Sequence, residues 1–443
     1  MPSDASPRRY LPVSTAVQRI GTRPELTLVQ DHPSPPPRLL TVRLAVLFFF
    51  VYAAPGAVVP LFSIWLTRLG FSPFMVGIIC STQALGAILA PPLIGQIADR
   101  WFPAERCLTI CALLSGVLLW IMAELTSPWP VLLASLAFWL CVSPSYTLAT
   151  SLCFAHQSRP EQGFGRIRLW GTVGWMVPGW LLGVWFSDPE WFGWASRCLG
   201  LESRPSELAD AFRLAGVFAF FLAAWTLVLP PTPPRADAAA RWAPLAAVKL
   251  LQQRSILVLW LCAFGVCITF PFSSQVTPLL LDRLGVPHPW LLPTLTLSQA
   301  GEVLALTLLP AIQLGLGTRR TLLLGLVSWL AVLVALTVGE PRWLVIASLP
   351  FNGLVMSCFI IMGQIYLNGQ ARGDIRVSAQ ALLTFVTGLG LATGHVLAGW
   401  LRREAGDSFT LTYAPAAVIA AFLVLVFALG FQAASSQKAE SSP

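Results

Sequence analysis

The chain is a succession of apolar runs, each about as long as a helix needs to cross a lipid bilayer. Roughly 20 apolar residues span the hydrocarbon core as a helix, and runs of that length follow one another between residues 42 and 431. Backbone groups inside a bilayer have no water to bond, so each run must be helical. Twelve spans are predicted, at residues 42–67, 73–97, 107–125, 130–155, 167–188, 209–230, 255–281, 290–315, 320–338, 342–367, 376–401 and 409–431.

Polar stretches divide this all-α membrane protein into two halves of six helices. Residues 1–41 are proline-rich and lack an early apolar run, which predicts a disordered cytoplasmic tail and not a signal peptide. Residues 231–254 predict a cytoplasmic linker between the halves 42–230 and 255–431, and residues 432–443 predict a second short tail. Halves related by an axis along the membrane normal place a solute site between them.

Basic residues are unevenly distributed between the two sides of the predicted bundle. If both termini are cytoplasmic, 20 of the 28 Lys and Arg residues lie on that side and 8 on the other. Since cytoplasmic loops carry the excess of basic residues, both termini are predicted to be cytoplasmic. The net charge of +8 follows from this asymmetry and gives no support to nucleic-acid binding, which would require a basic face on a soluble domain.

Glu302 is a lone carboxylate within the predicted eighth span. Insertion scales put a charged side chain at mid-span at roughly 2.5–3.5 kcal/mol, so the carboxylate must face protein or a water-filled cavity. Desolvation favours the neutral, protonated form of a carboxylate. Glu302 is therefore a candidate proton carrier, and the alternative is a structural partner of a polar group on another helix.

Polar residues in the fifth and eighth spans share helical faces. Arg168, Thr172 and Trp175 recur at i, i+4 and i+7, while Gln299 and Glu302 are three residues apart. Arginine and amide groups donate directional hydrogen bonds to sugar hydroxyls or base edges, and an indole ring offers a plane for stacking. The two faces are predicted to meet across a central cavity.

Several of these residues have a structural alternative. Arg168 could be an interfacial anchor near the start of its helix, Thr172 could bond to its own helix, and Trp175 could be a wall residue. His395 in the eleventh span can exchange protons near neutral pH. It could equally be a hydrogen-bonded packing group.

The loop after the second span resembles a cytoplasmic signature of the major facilitator superfamily. It reads GQIADRWFPAER, residues 95–106. The resemblance implies a charge latch between helices, formed by Gly95, Asp99, Arg100 and Arg106, which biases the side on which the transporter is closed. The alternative is a short loop that obeys the positive-inside rule.

Three further stretches resemble the nucleoside:proton symporter branch of that superfamily. They are GFGRIRLWGTVGW at residues 163–175, SQAGE at 298–302 and IRVSAQA at 375–381. The resemblance implies a major facilitator fold and proton-coupled symport of a small polar, nucleoside-like solute. It implies solute contacts from Arg168, Thr172, Trp175, Gln299 and Glu302.

The chain departs from the pattern of this branch at other solute-facing positions. Thr269 and Phe272 stand where the branch has a glutamine and an asparagine, and Asn352 and Met356 stand where it has a tyrosine and a phenylalanine. Ser357 replaces an acidic residue of proton-coupled relatives. The resemblance thus implies further solute contacts at Thr269, Asn352 and Met356. It leaves proton coupling to Glu302 and His395, and leaves the solute itself open.

Enzyme motifs are missing from the sequence. It has no glycine-rich phosphate loop ending in Lys-Ser/Thr, no nucleophile elbow and no metal-ligand cluster among its four His residues. We therefore expect a monomeric transporter of a bacterial inner membrane, without cofactor or metal, whose partners are a small solute, protons and membrane lipid. The alternatives are a symporter or exporter of an aromatic acid or sugar, and a non-transporting membrane sensor with the same fold.

Overall fold

The protein is a bundle of membrane-length helices, in a computed structural model that describes residues 38–100, 102–156, 160–187, 208–232, 250–370 and 376–432. Most of the predicted tails, 1–41 and 432–443, and of the linker, 231–254, lies outside these residues. The membrane-length helices are α1 (Arg38–Arg68), α2 (Pro73–Arg100), α3 (Ala104–Glu124), α4 (Pro128–His156), α5 (Pro160–Ser187), α6 (Asp210–Thr226), α7 (Arg254–Arg283), α8 (residues 288–316), α9 (residues 318–338), α10 (Arg342–Gln370), α11 (Arg376–Glu404) and α12 (Phe409–Gly430).

These helices account for all twelve predicted spans. Nine stretches of the described residues are long and apolar enough to cross a membrane by length and composition, and one of them, His288–Val338, contains both α8 and α9. Two helices are not among these nine stretches: α5, which is rich in glycine and tryptophan, and α6, which has 17 residues. The predicted all-helical, multi-span membrane fold is confirmed.

Gly317 separates α8 from α9. Its backbone has φ 73° and ψ 165°, in a region that residues with a Cβ atom rarely adopt. Any other residue at this position would be strained in this conformation. The break lets α9 turn back across the bundle.

Most helix ends lie within four residues of the prediction, but α5 begins at Pro160 and not at residue 167. The charged residues Arg166 and Arg168 lower the hydropathy of this stretch, although its backbone is already helical. Arg168 therefore lies about two turns inside the helix. This placement argues against the interfacial anchor that an end position would favour.

The two halves are packed against each other at one face of the bundle. We call the side on which α1 begins and α12 ends the termini face, and the other side the opposite face. Near the opposite face, a Cβ atom on Gly399 of α11 would lie 2.5 Å from the Pro73 carbonyl oxygen of α2. A Cβ atom on Gly183 of α5 would lie 2.7 Å from the Pro289 carbonyl oxygen of α8. Backbone therefore meets backbone between the halves, and the opposite face is closed.

Two helices of the second half contain π-helical segments. These are Phe272–Val276 in α7 and Val355–Ile361 in α10. The segment in α7 directly follows Pro271, which has no N–H to donate to the helix. Short π segments inside α-helices are frequent at functional sites, and both of these reach the wall of the cavity described next.

Candidate functional site

A cavity of about 340 Å³ lies between the two halves. Its wall is formed mainly by α1 and α5 of the first half and by α7, α8, α10 and α11 of the second. Eight of the side chains singled out in the sequence line it together: Arg168, Thr172, Trp175, Gln299, Glu302, Asn352, Met356 and His395.

The face of α5 that carries Arg168, Thr172 and Trp175 is held toward the cavity by close packing on α1. A Cβ atom on Gly174 would lie 2.1 Å from the Phe49 carbonyl oxygen, so only glycine lets the two backbones approach this closely. The 3.6-residue helical period then places the three polar and aromatic side chains on the cavity wall.

Gln299 and Glu302 reach the cavity from α8, on the other side of the site. Between them, Gly301 faces α10, where a Cβ atom would lie 2.0 Å from the Pro350 carbonyl oxygen. Arg168 and Glu302 line the same cavity, and no ion pair within 4.0 Å joins the two among the described residues. A cation of one half and an acid of the other therefore share one cavity.

Asn352 is the centre of a small hydrogen-bond network on the second-half wall. The Ser273 hydroxyl donates to its Oδ1 at 3.3 Å, and its Nδ2 donates to the Ser298 hydroxyl at 3.1 Å. This network joins α7, α8 and α10 at the cavity, next to Met356. Sequence reasoning singled out Asn352 but missed the two serines, which are too common in membrane helices to stand out.

Thr269 does not line the cavity. It is fully buried, and its hydroxyl donates to the Val266 carbonyl oxygen at 2.9 Å and accepts from the Trp329 indole N–H at 2.8 Å. Its expected solute contact is therefore corrected, since its hydroxyl is committed to a neighbouring helix. Ser273, one turn later, faces the cavity in its place.

His395 reaches the cavity edge from α11 but is buried. Its Nδ1 lies 2.8 Å from the Gln275 Oε1 of α7, so the imidazole joins two helices of the second half. This contact favours the packing role, while one edge of the ring remains on the cavity wall.

The predicted latch falls partly outside the described residues. Only the backbone is described at Gly95, Asp99 and Arg100, while Arg106 is exposed in the first turn of α3. Its neighbour Glu105 is buried and accepts a hydrogen bond from the Thr232 backbone N–H at 3.1 Å. Glu105 thus anchors the chain that leaves α6, and the latch itself stays a prediction.

Tyr52 of α1 and Gln83 of α2 also line the cavity, and sequence reasoning missed both. Each was visible as a polar side chain inside an apolar run. Gln83 borders a second cavity of about 260 Å³, which shares Phe270, Met356 and Leu391 with the first and extends toward the termini face as far as Gln364. The site therefore continues toward the termini face while the opposite face is closed.

Comparisons with known proteins agree with this architecture. The family described as nucleoside H+ symporter matches residues 39–436. The protein YegT of Escherichia coli (strain K12) is 28% identical over 381 residues, covering 82% of this chain and 85% of YegT. The xanthosine permease of Escherichia coli (strain K12) is 26% identical over 423 residues, covering 89% of this chain and 96% of the permease.

A solved structure shows the same fold. The crystal structure of nucleoside transporter NupG superimposes with a TM-score of 0.74 at 19% identity, covering 89% of this chain and 99% of that one. The resemblance seen in the sequence is confirmed, and the chain is a transporter and not an enzyme. Because the family match extends over all twelve helices, this protein belongs to the nucleoside H+ symporter family of the major facilitator superfamily.

Proposed function

We propose that this protein carries a nucleoside together with a proton into the cytoplasm by alternating access. One observation carries the proposal: Arg168 from the first half and Glu302 from the second line a single cavity of about 340 Å³. That volume lies within the range of small-molecule sites. Movement of the halves relative to each other would change the distance between the cation and the acid.

The chemistry of the wall suits a solute with a flat apolar face and a polar edge. Trp175 and Met356 offer surface for a base, while Arg168 and Gln299 donate hydrogen bonds to ring carbonyls or sugar hydroxyls. Asn352 keeps one amide hydrogen and one oxygen lone pair beyond its serine contacts. We infer that it binds the edge of the solute.

Glu302 is proposed as the proton carrier. It is half-buried in mid-membrane, where a charge is costly unless it is neutralised or solvated. Proton and solute are coupled if each binds more tightly when the other is present, through their different affinities for the two conformations. His395 is another titratable group on the wall, and His395→Gln serves as the comparison. A loss of accumulation equal to that of Glu302→Gln would make it a second carrier.

Counterflow in proteoliposomes tests the solute. We expect unlabelled uridine or xanthosine inside the vesicles to drive entry of the labelled nucleoside, and sugars or aromatic acids to fail. The reverse ranking would overturn the nucleoside assignment and favour a symporter or exporter of one of those solutes. For the sensor alternative, a chain lacking residues 1–36 keeps α1, which begins at Arg38. A transporter keeps its uptake after this deletion.

Membrane orientation is proposed from the charge distribution. With both termini in the cytoplasm of a bacterial cell, the closed opposite face is external and the protein is inward-facing. We propose that one chain is a complete transporter, since a single cavity is built from its own two halves. Reporter tags at each terminus that were labelled from outside intact cells would contradict the orientation.

Arg168→Gln is expected to raise the KM for nucleoside uptake by roughly 10- to 100-fold. A hydrogen bond to a charged group is worth about 1.5–3 kcal/mol, which corresponds to that range. Arg166→Gln is the matched control, because Arg166 is exposed on the same helix and does not line the cavity. Initial uptake rates measured over a range of solute concentrations give the KM of each variant. Equal KM values for the two variants would remove Arg168 from the site.

A charged cluster joins the halves at the opposite face. The Arg68 guanidinium of α1 lies 2.6 Å from His288 Nε2 of α8 and 3.8 Å from Asp282 of α7. The side chains are partly exposed, so the contact is worth at most about 1 kcal/mol. We expect Arg68→Ala to shift the closed-to-open ratio of this face by up to about fivefold. Labelling of a single cysteine placed at Thr172, by a maleimide that cannot cross the membrane, measures the shift. Unchanged labelling would show that backbone packing alone closes this face.

A further inference from the structure

Tyr52 and Tyr146 form an aromatic support beneath the Arg168 guanidinium. The Arg168 Cζ atom lies 4.3 Å from the centroid of the Tyr52 ring, well within the range of a cation–π contact. The Tyr146 ring of α4 lies behind it, with centroids 4.8 Å apart and planes inclined by 42°. Three helices of the first half thus contribute to one stack: α4, α1 and α5.

Gly171 makes room for this stack. A Cβ atom at this position would lie 2.8 Å from both Arg168 Nη1 and Tyr52 Cδ2. A larger residue at position 171 would displace the Arg168 guanidinium from the Tyr52 ring. The contact between the guanidinium and the ring therefore requires glycine at position 171.

The stack matters because Arg168 takes part in no ion pair among the described residues. A long, flexible arginine in an open cavity would lose side-chain entropy when it bound a solute. A ring under the guanidinium restricts that freedom in advance and leaves the N–H donors at the edge of the group available.

From this geometry we infer that Tyr52 is a positioning residue, which orders Arg168 so that its N–H donors meet the polar edge of the solute. Tyr146 supports the ring and does not touch the solute. The inference rests on the proposed function of Arg168 in solute binding. It adds a residue of α1 to the determinants of affinity.

Substitution at Tyr52 tests the inference through uptake kinetics in proteoliposomes. We expect Tyr52→Leu to raise the KM for the transported nucleoside up to about tenfold, because ordering one long side chain on binding costs about 0.5–1.5 kcal/mol and tenfold corresponds to 1.4 kcal/mol. Tyr52→Phe keeps the ring and restores the KM. Phe48→Leu, one turn earlier on α1, is the control: Phe48 is buried and stacks on Tyr52 at 6.5 Å between centroids. It should lower thermal stability and leave the KM unchanged.

A double-mutant cycle decides whether Tyr52 acts through Arg168. In an Arg168→Gln background, Tyr52→Leu should add less than a twofold change in KM. A full tenfold change there would overturn the inference, because it would mean that the ring binds the solute directly. The same cycle measured by solute-free thermal unfolding should also be non-additive. This second readout needs no transport, so additive unfolding refutes the stack even if the nucleoside assignment fails.

Discussion

Glu302→Gln should abolish proton-driven accumulation of solute while leaving solute exchange intact. The amide keeps the shape and hydrogen-bonding capacity of the side chain but cannot carry a proton. One proton moving through 100 mV supplies about 2.3 kcal/mol, which supports an accumulation ratio of about 50 for a neutral solute. We expect this ratio to fall to about 1 in the variant. Uptake into proteoliposomes with an imposed potential and pH gradient measures it, and counterflow measures exchange.

Two controls accompany this experiment. Glu302→Asp keeps a carboxylate at the site and should retain part of the accumulation. Glu340→Gln removes an exposed acid between α9 and α10 and should accumulate like the unaltered protein. Undiminished accumulation in Glu302→Gln would show that the proton travels by another group, and His395 on the cavity wall would be the next to test.

Gly301→Ala is the second large effect expected. The added methyl group would lie 2.0 Å from the Pro350 carbonyl oxygen, and a backbone oxygen cannot rotate away as a side chain can. Overpacking of this kind typically costs about 1–3 kcal/mol. Because Glu302 is the next residue, separation of α8 from α10 also displaces the carboxylate. We expect a lower midpoint of thermal unfolding in detergent and a loss of uptake of more than about tenfold, the effect of 1.4 kcal/mol.

Gly315→Ala on the same helix provides the matched control. A Cβ atom there would have no heavy atom within 4 Å, and alanine favours a helix over glycine by up to about 1 kcal/mol. This variant should be as stable as the unaltered protein or slightly more stable. If Gly301→Ala behaved in the same way, the close crossing of α8 and α10 would not be what holds Glu302 in place.

The helices, and the faces of α5 and α8 that line the cavity, could be predicted from the sequence because they depend on residues close to one another in the chain. Apolar runs of bilayer length have no structural choice other than a helix, so all twelve spans were visible. The faces of α5 and α8 followed from the helical period applied to residues that are conspicuous in a membrane. For that reason Arg168, Trp175 and Glu302 were expected on the cavity wall, where the structure has them.

The rest of the site depends on features that hydropathy does not encode. Thr269 was expected at the cavity from the family pattern, but the residues that precede it in α7 are almost all apolar and do not show which side of the helix faces the cavity. Its π segment at Phe272–Val276 also changes the register between neighbouring turns. Tyr52 and the Arg68 cluster depend on contacts between distant helices. A single sequence does not contain that information.

The close packing of the α8 backbone on the α10 backbone has a consequence for genetic selection. A Cβ atom on Gly353 would lie 2.0 Å from the Glu302 backbone nitrogen, and the Ser357 hydroxyl donates to the Glu302 carbonyl oxygen at 3.4 Å. The main chain that bears the acid is therefore bound to α10. Selection for revertants that regain growth on the solute in a weakened Glu302→Asp strain should yield suppressors clustered at residues 350–357, one helix away from the original lesion.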